Sequence, residues 1–265
     1  MLHFLHLARY FRKLLNLSSS LIMKYRDKKI SSVSDLISKL KDDCVGIEGP
    51  IWFRGQSQKD HKLLPSLYRK NTSISEMTLV KKFKQNATLL VTTNYSEEFD
   101  WLFIMQHHGV PTRLLDWSES SLIALYFACA NSDDKDGALW ILLPVELNKH
   151  ASIEPDETYD IPGITELENY SPKSYHADRT NVMPPAAAIT TRNTPRMQAQ
   201  QGTFTIFHKK RTEIESLGDK NHVWRYIIPA DSKQNILKEL KICGIDKFQL
   251  FPELSSIGET LNKEL

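Results

Sequence analysis

The spacing of apolar residues predicts helices that alternate with short strands. Apolar residues three and four positions apart predict helices over residues 3–26, 34–40, 76–90, 97–107, 121–130, 231–242 and 253–264. Short apolar runs bounded by Gly, Pro or polar residues predict strands over residues 51–55, 138–143, 186–190, 203–207 and 223–228. This order of elements favours an α+β fold with a mixed, mainly antiparallel sheet flanked by helices.

The first predicted helix is amphipathic. Leu7, Phe11 and Leu14 recur at helical spacing, while Arg9 and Arg12 occupy other faces. We therefore predict an N-terminal helical extension over residues 1–30, which docks on the body of the protein or on a partner. Residues 31–265 are predicted to form one domain.

The composition is that of a globular protein. Hydrophobic residues make up 41% of the chain and charged residues 25%. No run approaches the roughly 20 apolar residues of a membrane-spanning helix, so no membrane partner is predicted. Three cysteines are too few and too scattered for a disulfide framework or a metal cage, which favours a reducing, cytoplasmic location.

The charge is unevenly distributed along the chain. Residues 1–90 carry 17 lysines and arginines against 7 aspartates and glutamates, and the remainder carries 17 against 25. A basic face of this kind attracts RNA, DNA or an acidic partner protein. The alternative is that the two halves neutralise each other across the fold.

A first candidate site lies at the end of the strand predicted over residues 51–55. The guanidinium of Arg54 is a fork of donors suited to a phosphate or a carboxylate. Gly55 after it allows a ligand to approach the backbone closely. The alternative is an arginine paired with a structural acid.

A second candidate is the segment 106–118, predicted as a polar loop between two apolar helices. Two adjacent histidines on a helix point in different directions, so no metal site is predicted there. Arg113 and Asp116 are close enough in the chain to pair, either as a structural clamp or as pocket residues, and we favour the clamp for Arg113 and the pocket for Asp116. Ser118 is predicted to cap the following helix.

A third candidate is the segment 196–207, in which glutamines precede a glycine and a strand. Uncharged amides hold hydroxyls or base edges but do not act as general acids or bases. A solvated glutamine-rich turn is the alternative. The chain has no phosphate-binding Gly-rich loop, dinucleotide fingerprint, HExxH or GxSxG, which excludes common NTPases, Rossmann enzymes and serine hydrolases.

Together these segments resemble the FRG-domain family, named for a Phe-Arg-Gly that is found here at residues 53–55. The resemblance continues through Leu-Pro-Ser-Leu-Tyr-Arg at 64–69, Gln-His-His-Gly-Val-Pro-Thr-Arg-Leu-Leu-Asp-Trp-Ser at 106–118 and Ala-Leu-Tyr-Phe-Ala at 124–128. It resumes at Arg196 and at 200–204, and it ends on Leu-Phe-Pro-Glu-Leu at 250–254. It covers residues 33–262.

The aromatic-Arg-Gly sequence also resembles, more loosely, the first motif of the arginine-type ADP-ribosyltransferases. This resemblance implies an ADP-ribosyltransferase-like fold and NAD as co-substrate, with Arg54, Asp116 and Gln201 in the catalytic set. Arg54 would bind the phosphates, Gln201 the nicotinamide ribose, and Asp116 would supply the negative charge that a glutamine lacks. The residues implied to bind the co-substrate are Arg54, Gly55, Gln56, His108, Thr112, Arg113, Ser118 and Gln200.

The resemblance further implies a bacterial toxin of a phage-defence or toxin–antitoxin system. Its expected acceptor is a nucleic acid, RNA before DNA, or a protein. An antitoxin or other neutralising protein would bind residues 1–30 or the basic face. The alternative is a non-catalytic module that binds a partner or a nucleic acid, with Trp52, Phe53, Tyr68 and Phe83 as stacking surfaces.

Overall fold

Seven strands from distant parts of the chain form one sheet in the computed structural model, which describes residues 26–70, 73–91, 95, 97–153, 160–177 and 180–262. The strands are β1 (Lys28–Lys29), β2 (Trp52–Gln56), β3 (Leu114–Ser118), β4 (Gly137–Leu142), β5 (Ala186–Ala188), β6 (Gly202–Ile206) and β7 (Val223–Ile228). Their order across the sheet is β1-β7-β4-β2-β3-β6-β5. The β1–β7 pair is parallel and the other pairs are antiparallel. The predicted α+β fold with a mixed, mainly antiparallel sheet is confirmed.

Helices connect the strands and cover the sheet. They are α1 (Val33–Asp43), α2 (Ser66–Arg69), α3 (Glu76–Ala87), α4 (Glu98–His107), α5 (Ser121–Cys129), α6 (Pro144–His150), α7 (Pro172–Ala177), α8 (Pro195–Ala199), α9 (Lys233–Ile242), α10 (Lys247–Leu250) and α11 (Leu254–Leu261). Serine side chains cap α1, α3 and α5, where Ser32, Ser75 and Ser120 accept hydrogen bonds from backbone N–H groups of the first turn. Within the part of the chain that the structure describes, no helix is long and apolar enough to cross a membrane.

The core consists of three apolar clusters on the two faces of the sheet. One cluster joins α1, α5 and α9 to alternate residues of β2, β4 and β7, including Phe53, Leu139 and Tyr226. The opposite residues of the same strands, such as Trp52 and Trp140, form the second cluster. The third joins α3 and α4 to β3, β5 and β6. Apolar residues therefore cover both faces of the central strands, and polar groups there need a specific partner or ligand.

Two segments differ from the sequence-based expectation. Residues 114–118, predicted as part of a loop, form the strand β3, because alternate residues pack into the clusters on opposite faces of the sheet. Residues 28–30, assigned to the N-terminal extension, belong to the sheet: β1 pairs with β7, and the buried Ile30 lies in the core. The rest of the predicted first helix lies outside the described residues, apart from Arg26.

Candidate functional site

A cavity opens where the sheet parts between β2 and β3. The two strands share the single pair Phe53↔Ser118, whereas β2 and β4 stay in register over five pairs. Next to this pair, side chains from both strands line a cavity of about 340 Å³. Residues of α4, α5 and α8 form the sides of the cavity. Its volume lies at the small end of ligand pockets. The divergence of two central strands thus makes a ligand-sized space inside an otherwise packed sheet.

Arg54 reaches across this gap from β2. One of its terminal N–H groups donates to the backbone carbonyl of Asp116, and the Asp116 carboxylate lies 3.9 Å from the same nitrogen. The Arg54 side chain is only 17% exposed, and its buried Nε has no hydrogen-bond partner among the described residues. Burial lowers the pKa of Arg54 to about 10, which Asp116 partly offsets, so the guanidinium stays charged at neutral pH. A buried charged group with an unused donor is equipped to receive an anion.

Asp116 is held by a short relay of polar side chains. The Thr112 hydroxyl donates to the Gln106 carbonyl oxygen, and the Gln106 amide donates to the Asp116 carboxylate. Because Thr112 is fully buried, this relay fixes the amide orientation of Gln106. The carboxylate itself is 58% exposed and lines the cavity. Asp116 therefore places a negative charge in the cavity close to Arg54. This position agrees with the expectation that Asp116 faces the pocket.

Two further arginines and two histidines line the cavity. Arg69 at the end of α2 and Arg196 on α8 face it together with His61 and His107. Burial, followed by the charge of Arg69, lowers the pKa of His61; burial, followed by the charge of Arg196, lowers that of His107. The lowered pKa values favour the neutral form of both histidines near pH 7, so the arginines carry the positive charge of this part of the lining.

The remaining walls are apolar or already hydrogen-bonded. Aromatic side chains line the cavity: Phe53, Phe103, Trp117, Phe127 and Phe204. Gln56 is buried and accepts a hydrogen bond from Trp140 Nε1 at 2.9 Å. The Ser118 hydroxyl donates to the Gln200 carbonyl at 2.8 Å and accepts from the N–H of Ser120, which is the actual cap of α5. The prediction of Ser118 as the cap is therefore wrong, although Ser118 lies in the cavity as predicted.

Arg113 is not a cavity residue. It is fully buried and pairs with Glu76 of α3, whose carboxylate accepts from Arg113 Nε at 2.7 Å and from its backbone N–H at 3.0 Å. Its other nitrogens donate to the carbonyls of Phe207 and Tyr170. Residues 113 and 116 lie three positions apart on extended chain and so point to opposite faces. The predicted pairing with Asp116 and the role in co-substrate binding are wrong, whereas the clamp role is correct with Glu76 as the partner.

Three further predicted residues lie away from the cavity lining. Gln201 is exposed with a φ of 47°, and it does not contribute to the described lining. His108 is exposed at the end of α4 and packs on the ring of Phe83. Thr112 is buried behind Gln106. Gln200 lines the cavity, but its amide N–H donates to the Leu250 carbonyl at 3.0 Å. Gln201, which was assigned to the nicotinamide ribose, is therefore not placed to contact a ligand in this cavity.

Gly55 is required for helix packing. A Cβ at this position would lie 1.9 Å from the Ala124 carbonyl oxygen and 2.5 Å from the Ala128 nitrogen, so only glycine lets α5 pack this closely on β2. Gly55 also lines the cavity, so its place beside a ligand stays a prediction, and the packing of α5 adds a steric reason for glycine. The close approach of α5 also brings Phe127 into the cavity wall.

The predicted nucleic-acid stacking surface is wrong in its main members. Trp52 is fully buried and Phe53 is 8% exposed, so neither ring is available to an extended nucleic acid. Tyr68 is half-buried, and its hydroxyl donates to the His208 carbonyl at 2.8 Å. Of the basic residues in the first third of the chain, Arg54 and Arg69 are in the described cavity lining.

Sequence reasoning missed four residues of the cavity lining: Arg69, Gln106, His107 and Arg196. Arg69 and Arg196 add positive charge to the cavity, and Gln106 orients Asp116. All four lie inside the segments that carry the family resemblance, and that is the signal that would have found them. Their roles depend on long-range packing. Arg196, for example, lies over the Phe251 ring at 4.6 Å and donates to the His107 carbonyl.

Comparison with known proteins identifies one family. The family model of the FRG domain matches residues 49–137, which include β2, α2–α5 and β3 and hence most of the cavity lining. No curated protein and no solved structure matches the chain. The match confirms the first resemblance over this segment, and the resemblance to ADP-ribosyltransferases stays a prediction.

Proposed function

We propose that this chain, which carries an FRG domain, binds NAD in the cavity between β2 and β3 and transfers ADP-ribose from it. The observation that carries the proposal is the pairing of Arg54, with its buried and unpartnered Nε, with the positioned carboxylate of Asp116. An anion-binding group beside a negative charge is the combination that the chemistry of NAD cleavage needs.

The cationic lining supports binding of the pyrophosphate. Arg54, Arg69 and Arg196 face the cavity, while Asp116 is the acidic residue of its described lining. Arginine binds phosphate through two parallel N–H···O bonds, and such charge-assisted bonds are roughly twice as strong as neutral ones. The unused Nε of Arg54 would gain an acceptor, which removes the cost of leaving a buried donor unpaired.

The apolar walls support binding of a ring. Phe103, Phe127 and Phe204 contribute flat apolar faces to the cavity beside its arginines. A volume of about 340 Å³ encloses one nucleotide-sized part of NAD, so the remainder would extend from the mouth, past the exposed Arg69. The cavity thus fits one ring with its adjoining phosphate.

Asp116 supplies the chemistry in this proposal. The bond between the nicotinamide nitrogen and ribose C1′ breaks, and nicotinamide leaves with the bonding electron pair. An acceptor oxygen or nitrogen then bonds to C1′ and releases its proton to water. Positive charge develops on the ribose between these events, and a fixed carboxylate stabilises it without reorganisation. This assigns to Asp116 the role that a glutamate plays in the resemblance.

Nicotinamide release is the experiment that tests the proposal. The full chain is incubated with NAD and with RNA, DNA or cell protein, and nicotinamide is quantified by chromatography while acceptors are weighed by mass spectrometry. We expect stoichiometric nicotinamide release and a mass increase of one ADP-ribose, with RNA as the first acceptor to test. Asp116→Asn should lower the rate about a hundredfold or more, because it removes the charge while keeping the oxygen that accepts from Gln106.

Glu119→Gln is the matched control. Glu119 follows directly on β3, is exposed and pairs with Arg192 at 2.6 Å, outside the cavity lining. Its variant should retain the wild-type rate. NAD binding without nicotinamide release, or equal rates for the two variants, would contradict the proposal and favour a non-catalytic binding module. In cells, we expect that expression of the wild-type chain is toxic and that expression of the Asp116→Asn variant is not.

A further inference from the structure

A second cluster of chemically capable side chains lies away from the cavity. Among the described residues, His150, Asp219 and His222 each have a ligand atom within 4.8 Å of the other two. His150 ends α6, and the other two residues lie in the loop that leads into β7. His150 lies about 70 residues before the other two, so no local spacing in the sequence indicated a metal site. We propose that these three side chains form a binding site for a divalent transition metal, with Zn²⁺ as the best fit.

His222 is the fixed member of the cluster. The side chain is fully buried, and its Nε2 lies 2.9 Å from the Ile214 carbonyl. A carbonyl accepts only from a protonated ring nitrogen, so Nδ1 of the neutral ring carries the lone pair. That atom is buried and has no hydrogen-bond partner among the described residues. A metal-binding histidine typically donates its other N–H to a carbonyl in this way, which fixes the tautomer and ring orientation.

His150 and Asp219 are the adjustable members. His150 Nε2 lies 4.0 Å from Asp219 Oδ1, and the two side chains are 29% and 61% exposed. Two ligands on tetrahedral zinc are separated by roughly 3.4 Å, given metal–ligand distances of about 2.0–2.2 Å. The His150–Asp219 pair therefore has to close by about 0.6 Å and no pair by more than about 1.4 Å, a movement open to side chains that are not fully packed. Asp219 also accepts hydrogen bonds from the backbone and side chain of Asn221, which orient the carboxylate.

The backbone leaves room for the His150 ring. Gly218 has a φ of 47°, and a Cβ on it would lie 2.1 Å from Cε1 of that ring. The ring therefore occupies the space that any other residue at this position would fill. It also packs edge-to-face on His222, with ring centroids 4.9 Å apart. Two nitrogen ligands and one carboxylate suit zinc and leave the fourth position for water or an added ligand.

Metal titration of the purified full chain tests this proposal. Zn²⁺ affinity and stoichiometry are measured by calorimetry after treatment with chelator, and Co²⁺ is used as a spectroscopic probe of four-coordination. We expect one Zn²⁺ per chain, a raised melting temperature, and visible absorption typical of tetrahedral Co²⁺ with nitrogen and oxygen ligands. Asp219→Asn and His150→Gln should each weaken Zn²⁺ binding by more than about tenfold. Loss of a residue that only hydrogen-bonds to a metal ligand already costs about that much, and loss of a ligand itself should cost more.

Two control variants separate this site from chance binding. Asp42→Asn removes another exposed aspartate, outside the cluster, and should leave the affinity unchanged. Cys243→Ser removes an exposed thiol and should also have no effect. No binding to the wild-type chain would overturn the proposal, as would an affinity that Asp219→Asn leaves intact. Loss of binding in Cys243→Ser would assign the metal to the thiol instead.

Discussion

The buried Glu76–Arg113 pair is predicted to be a main determinant of stability. Glu76 is 3% exposed and Arg113 is fully buried, and their direct contacts join the start of α3 to the start of β3. Glu76→Gln removes the negative charge that faces the guanidinium. Among the described contacts of Arg113, the carbonyls of Phe207 and Tyr170 and the ring of Tyr175 remain, and none of these carries a negative charge.

The expected cost follows from this environment. Breaking a buried pair by removing one partner costs about 3–5 kcal/mol. The free energy of unfolding of a typical protein is about 5–15 kcal/mol, so this cost is a large fraction of the total stability. At about 2–4 °C per kcal/mol for a chain near this size, the melting temperature should fall by roughly 10 °C. Urea denaturation followed by tryptophan fluorescence gives the free energy of unfolding directly, and calorimetry gives the melting temperature.

An exposed ion pair provides the control. Lys149 and Glu146 pair at 2.7 Å on α6 with both side chains about half exposed, and Glu146→Gln should change stability by less than about 1 kcal/mol. If Glu76→Gln were as stable as this control, the clamp role of Arg113 would be refuted. Arg113 would then have to be reconsidered as a ligand-binding residue.

Three further predictions concern packing, the polar relay and pH. Gly55→Ala should cost at least about 2–3 kcal/mol in urea denaturation because its Cβ meets the α5 backbone, whereas Gly258→Ala, with nothing within 4 Å, should be neutral or slightly stabilising; equal effects would contradict the packing argument. Thr112→Val should lower the free energy of unfolding by about 1–3 kcal/mol and slow nicotinamide release, because the orientation of Gln106 is no longer fixed. Unchanged activity would show that the hydrogen bond from Thr112 to Gln106 does not contribute to catalysis. Burial lowers the pKa of His176, so the unfolded chain binds more protons and the unfolding free energy should fall between pH 7 and pH 5; His176→Gln should reduce that slope, and an unchanged slope would contradict the assignment.

Much of the architecture follows from local patterns in the sequence. The helices α1, α3, α4, α5 and α9 and the strands β2, β4 and β7 lie close to their predicted positions, because each carries its own periodicity or apolar run. β3 was missed because its Asp116 and its flanking polar residues resemble a loop. The strand is defined by pairing with β6, which lies far along the chain, and no local signal encodes that pairing.

The candidate site shows the same division. Arg54 and Asp116 stand out in the sequence, since a cation at a strand end and an acid among apolar residues are unusual locally. Both line the cavity, and their roles toward a ligand stay predictions. The partner of Arg113 was not predictable, because Glu76 belongs to a helix with an ordinary amphipathic pattern and becomes buried only in the fold. Gln201 is exposed outside the described lining and has a positive φ, and the sequence gives no direct clue to either.

Binding of ADP-ribose to the full chain is the most direct test of the central claim, because this ligand carries the pyrophosphate of NAD and is not consumed by the proposed reaction. Calorimetry should show one molecule bound per chain. Arg54→Lys keeps the charge but loses the fork, and it should weaken binding by about tenfold or more, whereas Arg211→Lys, at an exposed arginine outside the cavity lining, should not. No binding, or equal binding by both variants, would contradict the assignment of the β2–β3 cavity as the NAD site.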